Sequence, residues 1–234
     1  MAAAGRDVIL FESAGLGRSS GEVPPSIPEM AKHALAFLDA LALPQVDVLG
    51  YSLGGMIAQQ MALERPSLIR KMVLVGTAPE GGDDIMHLEK PELKKITDDP
   101  NLNGFQKLVK LFFTSSSSSQ TAGEAFVARL AQRKQDKEPI AGPKVAQAQI
   151  MAFRAWETYS GQRFAKLHSQ PCLVMNGVFD NVIPVKNSYM LSEHLPNAML
   201  LTYPDATDGS LFQFNKSFVR QTSSFLESED LWLT

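Results

Sequence analysis

Gly50-Tyr51-Ser52-Leu53-Gly54 fits the pattern G-x-S-x-G, with the apolar run Val46-Asp-Val-Leu-Gly50 leading into it and a helical pattern following it. That context turns a short pattern into a candidate nucleophile elbow. The turn is tight and strained, so side chains two residues to either side of the serine are expected to clash, and glycine fits both places. Ser52 Oγ is lifted clear of the turn, with a helix N-terminus beneath it and the Leu53 amide aimed at a developing oxyanion. The competing reading is a glycine-serine turn that only joins two elements; the strand before and the helix after weigh against it. A serine is a poor nucleophile until a neighbouring base takes its proton. The chain therefore has to supply one, and its histidines are His33, His87, His168 and His194.

The elements that must hold such a serine can be read from the same sequence. Val8-Ile-Leu-Phe11 predicts a buried strand, ending in the glycine- and serine-rich stretch Glu12–Gly21. Ser26 can cap a helix starting near Pro28, with Met30, Ala34, Phe37, Leu38 and Leu41 on one face. The helix after Ser52 must stop near Arg65-Pro66, and Lys71–Val75 follows as a strand. Strand, helix, strand at this spacing makes a βαβ unit and a parallel sheet. Residues 80–165 carry helical patterns broken by Pro91, Pro100, Gly104, Pro139 and Pro143, and read as a helical cap inserted in the core of residues 1–79 and 166–234. Alternation then resumes with strands at Pro171–Met175 and Ala198–Tyr203 and helices at Val185–Leu195 and Phe214–Leu226. The fold class is α/β, with a mainly parallel sheet of about five strands.

Composition narrows the function classes. The 234 residues are 44% hydrophobic and 20% charged, enough apolar content for one domain with a sizeable core. A net charge of −3 argues against a nucleic-acid or anionic-membrane surface. Cys172 is the one cysteine, so no internal disulfide framework is expected; it reads as a small core residue in a reducing, cytoplasmic compartment. No run has signal-peptide or membrane-spanning length. No cofactor or metal is expected, since no cluster of metal ligands stands out and Gly15-x-Gly17 lacks a full phosphate-binding pattern. The tract Ser115–Ser119 reads as a solvated turn or loop.

Four segments together resemble the α/β-hydrolase superfamily, in its branch of small capped esterases and lactonases. They are Val8–Gly21, Val48-Leu-Gly-Tyr-Ser-Leu-Gly-Gly-Met56, Asn176-Gly-Val-Phe-Asp-Asn-Val-Ile-Pro184 and Tyr203-Pro-Asp-Ala-Thr-Asp-Gly-Ser210. The resemblance makes Ser52 the nucleophile and Asp180 the triad acid. It also places the triad base at Asp208, where the family has histidine. The four histidines lie elsewhere, and only His87, in the predicted cap, is a plausible recruit. Tyr51, Leu53 and Trp156 are the candidate oxyanion and substrate-binding residues. The family also opens with three further strands and a His-Gly loop that donates a second oxyanion amide. This chain starts at what resembles the fourth, so a non-standard sheet is expected. Either the first strand moves over to pair with Val46–Leu49, or a second copy covers the edge as a homodimer.

Loss of the triad histidine costs on the order of 10⁶-fold in subtilisin, and loss of one oxyanion donor roughly 10²–10³-fold. Ordinary triad hydrolysis is therefore not expected. One reading keeps the pocket and changes the chemistry: Asp180, Asp208 and Ser52 act together in acid–base catalysis on a small carbonyl compound. A second is an inactive relative that binds a ligand or partner through Trp156, Phe153, Phe112 and Phe113. A third is an ester or lactone hydrolase with a recruited base.

Overall fold

A computed structural model describes residues 1–2, 5–87, 90–135, 142–159 and 170–228. Four strands, β1 (Val46–Tyr51), β2 (Ile69–Val75), β3 (Cys172–Gly177) and β4 (Ala198–Tyr203), form one parallel sheet in the order β1-β2-β3-β4. Period-two alternation sends Met72 and Leu74 of β2, with Cys172 and Val174 of β3, into a core against α1 (Ile27–Ala40), α2 (Leu53–Glu64) and α7 (Lys186–His194). Val73, Val75, Leu173 and Met175 point the other way, onto α9 (Asn215–Glu227). Both faces of the inner strands are thus covered, which is why β2 and β3 read as near-continuous apolar runs. Cys172 is fully buried, as its apolar run indicated, and burial pushes its thiol up.

Helix boundaries follow local chemistry. Ser26 Oγ accepts the Glu29 N–H at 3.4 Å and caps α1. α2 stops at Glu64, two residues before Pro66. Between β2 and β3 lie α3 (Pro91–Thr97), α4 (Gly104–Phe112), α5 (Ser117–Gln132) and α6 (Pro143–Thr158). This insertion has two arms. α6 packs on α1 and α2, while α5 packs on the short α8 (Ser210–Gln213) beyond β4.

Three expectations are corrected. The sheet has four strands among the described residues, because Val8–Phe11 forms no strand. Its four side chains are 44–91% exposed, and β1 pairs with β2 alone. An apolar run becomes a strand only where a neighbour supplies a hydrogen-bonding edge, and this run stays off the edge of β1. Arg6 reaches Asp47 of β1 at 3.1 Å, and Phe11 stacks on Phe37 of α1 with ring centroids 4.9 Å apart. The rearranged sheet is therefore not formed. Ser115–Ser119 is not a solvated loop either. Ser116 caps α5, which begins at Ser117, and Ser119 is fully buried with its hydroxyl on Gln213 Oε1 at 2.8 Å.

Candidate active site

Ser52 sits between β1 and α2 with φ 52° and ψ −121°, a backbone conformation costly for a residue with a side chain. The end of β2 and the first turn of α2 enforce it. The Ser52 N–H donates to Val75 O at 2.9 Å, and Ser52 O accepts Thr77 Oγ1 at 2.8 Å and the Gly55 N–H at 2.9 Å. Gly50 is required, since a Cβ there would stand 2.3 Å from Gly54 O. Gly54 is not, for nothing lies within 4 Å of the place its Cβ would take. The second tight approach is at Gly55, 2.5 Å from Thr77 Cγ2. The steric constraint thus falls one residue further along than the motif suggests. Leu53 is the first residue of α2, so its N–H has no intrahelical acceptor and is free for an oxyanion.

Asp180 lies beyond β3 in a loop closed by its own backbone. Its Oδ1 accepts the N–H groups of Val182 and Ile183 at 2.8 and 2.9 Å, while Asn176 Nδ2 donates to Ile183 O at 3.2 Å. Gly177 lets this loop press on the next one: a Cβ there would lie 2.2 Å from Thr207 O. Asp208 is held differently. Its Oδ2 accepts the Tyr51 hydroxyl at 2.7 Å, and Oδ1 would be 2.9 Å from a Cβ on Gly76 at the end of β2. Tyr51 is the residue just before the serine, so Asp208 lies against the elbow. Asp180 Oδ2 and Asp208 Oδ1 are buried with no hydrogen-bond partner among the described residues.

Burial lifts both carboxyls, Asp208 to about 7 against the pull of the Tyr51 hydroxyl. Asp180 is raised by burial and then by the Asp208 charge, against the Ile183 and Val182 amides and Asn176. Tyr51 is raised by burial and then by Asp208. The Asp208 charge thus works against ionisation of Asp180.

The structure brings Asp180 and Asp208 together next to the elbow residue Tyr51, and gives Tyr51 the task of donating to Asp208. Trp156 is 1% exposed, with its indole N–H on Ala78 O at 3.2 Å. It packs with Ile27, Met30, Met56 and Phe153, and so anchors the insertion instead of facing a ligand. Phe113 is buried too, whereas Phe112 meets Tyr51 edge-on with ring centroids 6.4 Å apart. His87 Nε2 lies 3.0 Å from Glu157 Oε2 within the insertion. His194 Nδ1 bonds Met190 O, His33 is exposed on α1, and His168 lies outside the described residues. Gly76, Thr77 and Gly177 were not singled out from sequence; a glycine closing a strand was their one local signal.

A family model described as alpha/beta hydrolase fold matches residues 1–214. The chain belongs to the α/β-hydrolase fold family. It is 29% identical to the poly(3-hydroxyalkanoate) depolymerase of Ectopseudomonas oleovorans over 217 residues, covering 90% of this chain and 71% of that one. It is 26% identical to the pimeloyl-[acyl-carrier protein] methyl ester esterase of Pectobacterium atrosepticum, covering 94% and 83%. Among solved structures, the alpha/beta hydrolase fold protein from Chitinophaga pinensis superposes with a TM-score of 0.85 at 35% identity, covering 93% of this chain and 78% of that one. No helix among the described residues of this α/β-hydrolase-fold chain is long and apolar enough to cross a membrane.

Proposed function

We propose that this α/β-hydrolase-fold chain is an enzyme acting on a small carbonyl-containing molecule by acid–base chemistry at the Asp180–Asp208 pair, with little or no triad hydrolysis. The observation that carries the reading is Asp208 itself: a carboxyl buried against the elbow and tied to Tyr51, at the position where the sequence resemblance puts the base. Two carboxyls raised by burial, Asp208 to about 7, offer an acid and a base within one site. The ionised carboxyl takes a proton from the carbon beside the carbonyl. The carbonyl oxygen gathers charge and is met by the Leu53 N–H and the Ser52 hydroxyl. Proton transfer, cyclisation and elimination use this step; decarboxylation uses the same oxygen-binding donors, with carbon dioxide leaving in place of the proton and a carboxyl returning a proton to the carbon. The relatives named for esterase and depolymerase activity also act at carbonyl carbons, which supports the substrate class.

Two measurements test it. Exchange of α-protons for deuterium in a panel of small ketones and keto acids, followed by NMR, is expected for the wild-type chain and should fall about 100-fold or more in Asp208→Asn. Fluorophosphonate labelling of Ser52 should be negligible in the wild type and appear in Asp208→His, which supplies the imidazole. Rapid labelling of the wild type, or exchange unchanged in Asp208→Asn, would sink the proposal.

A further inference from the structure

The serine tract, left without a role by the site, is the place where the insertion grips the loop that bears Asp208. Asp205 lies three residues before Asp208 with φ 52°. Its Oδ1 accepts the Thr114 hydroxyl at 2.5 Å, and its Oδ2 accepts Ser116 Oγ at 2.5 Å and Ser118 Oγ at 3.0 Å. The backbone of the same loop is gripped as well. The Gly209 N–H donates to Phe112 O at 3.0 Å, and Gln213 Nε2 donates to Asp205 O at 2.8 Å while its Oε1 accepts Ser119 Oγ. Phe212 stacks on Phe112 and Phe126, closing the contact with apolar surface. The α4–α5 turn, from Phe112 to Ser119, is therefore directed onto residues 205–213.

We propose that Asp205, through Thr114, Ser116 and Ser118, is a positioning residue that makes docking of the inserted α4–α5 turn a condition for Asp208 to stand buried against Tyr51. The proposal rests on the reading that Asp208 is a reacting group, but its test does not. Several details favour a positioning role over general packing. Asp205 is an anion at the N-terminus of the 16-residue α5, where helix dipole and capping hydroxyls both favour negative charge. The Ser116 and Thr114 hydroxyls hold its carboxyl below the usual carboxylate range. Thr207, the residue before Asp208, and Asn181, the residue after Asp180, line an open cleft of about 520 Å³ together with Thr114, Ser116 and Asp205. Opening the latch therefore admits water from a cleft already bordering both acid-bearing loops. The charged groups in question are few: Asp208 faces Tyr51 and Asp180, and Lys110 lines the cleft beside Asp205.

The experiment is a carboxyl-carbon NMR titration of the full chain labelled at aspartate, with Asp208→Asn identifying the Asp208 signal. Asp205→Ala is expected to lower the Asp208 midpoint by about one pH unit, a tenfold change in its ionised fraction, because water reaches a carboxyl that burial had raised. Asp205→Asn keeps a carbonyl acceptor and should restore more than half of the shift. Thr114→Val with Ser118→Ala loosens the latch from the insertion side. It should move the midpoint in the same direction, and it decides the matter alone if Asp205→Ala does not fold. An unchanged Asp208 midpoint in the folded variants, with only a lowered melting temperature, would overturn the proposal. Loss of the deuterium-exchange activity as a property of the wild type would overturn the function above and leave this titration standing.

Discussion

The sheet ends in two edge strands, β1 and β4, and the chain treats them differently. The segment beyond β4 is pinned from several sides: by the backbone at Gly177, by the α4–α5 turn through Asp205 and Gly209, and by Gln213. The outer side of β1 has no strand beside it among the described residues, and the N-terminal run reaches it through Arg6. There Asp47 is neutralised by Arg6 and Arg70, and Leu49 remains partly exposed. Yet Ser52 comes off β1, the poorly covered edge. Its strained backbone survives because the contacts enforcing it come from Val75 and Thr77, at and just beyond the end of β2, and from Gly55 of its own helix α2, none from the open edge. A strained turn held from the sheet interior and its own helix tolerates an open edge beside it.

That contrast can be broken most severely at the pinned edge. Gly177→Ala places a methyl group against Thr207 O and Ala206 O, and should destabilise the fold by about 3 kcal/mol in urea unfolding, with both acid-bearing loops displaced. Next in size is the pH response. Asp208 is raised in the folded state, so the folded chain binds the extra proton and its stability falls as pH rises from about 4 towards 7. Asp208→Asn keeps the shape and the acceptor for Tyr51 but removes the Asp208 share of this fall, leaving that of Asp180. The difference should reach on the order of 2 kcal/mol between the ends of that window, read by melting curves at a series of pH values. Tyr51→Phe removes the hydroxyl that lowers Asp208, so the Asp208 midpoint should move up and stability drop by about 1 kcal/mol. The open edge gives the smallest change in stability. Leu10→Asp with Phe11→Asp should alter it by less than about 0.5 kcal/mol. A bare strand edge beside exposed apolar residues predicts self-association in sedimentation runs, which these charges should abolish. A wild type that sediments as a monomer at all concentrations would show that the β1 edge is not adhesive.

Much of the fold was legible because the period of the apolar residues switches cleanly between strand and helix. All four strands and the helices around the elbow lie where that pattern puts them. Val8–Phe11 misleads for a physical reason: composition shows that a segment would pair if it could, but not whether a partner edge stands beside it. Ser52 was readable from five consecutive residues. The Tyr51–Asp208 hydrogen bond spans 157 positions and the Asp205 latch about 90, and neither leaves a local trace. The serine tract looks like low-complexity loop until Asp205 is placed beside it, and Trp156 looks like a ligand-facing aromatic until its indole is found on Ala78.

The contact between Tyr51 and Asp208 also gives the molecule a built-in optical signal. The near-ultraviolet absorption of a phenol depends on whether its hydroxyl faces a charged or a neutral acceptor, and Tyr51 reports on a single carboxyl at 2.7 Å. A difference spectrum of the unlabelled protein, taken across neutral pH or on addition of a candidate compound, should register the state of that carboxyl directly. Ligands that change the charge of Asp208 can then be detected by this ultraviolet difference signal.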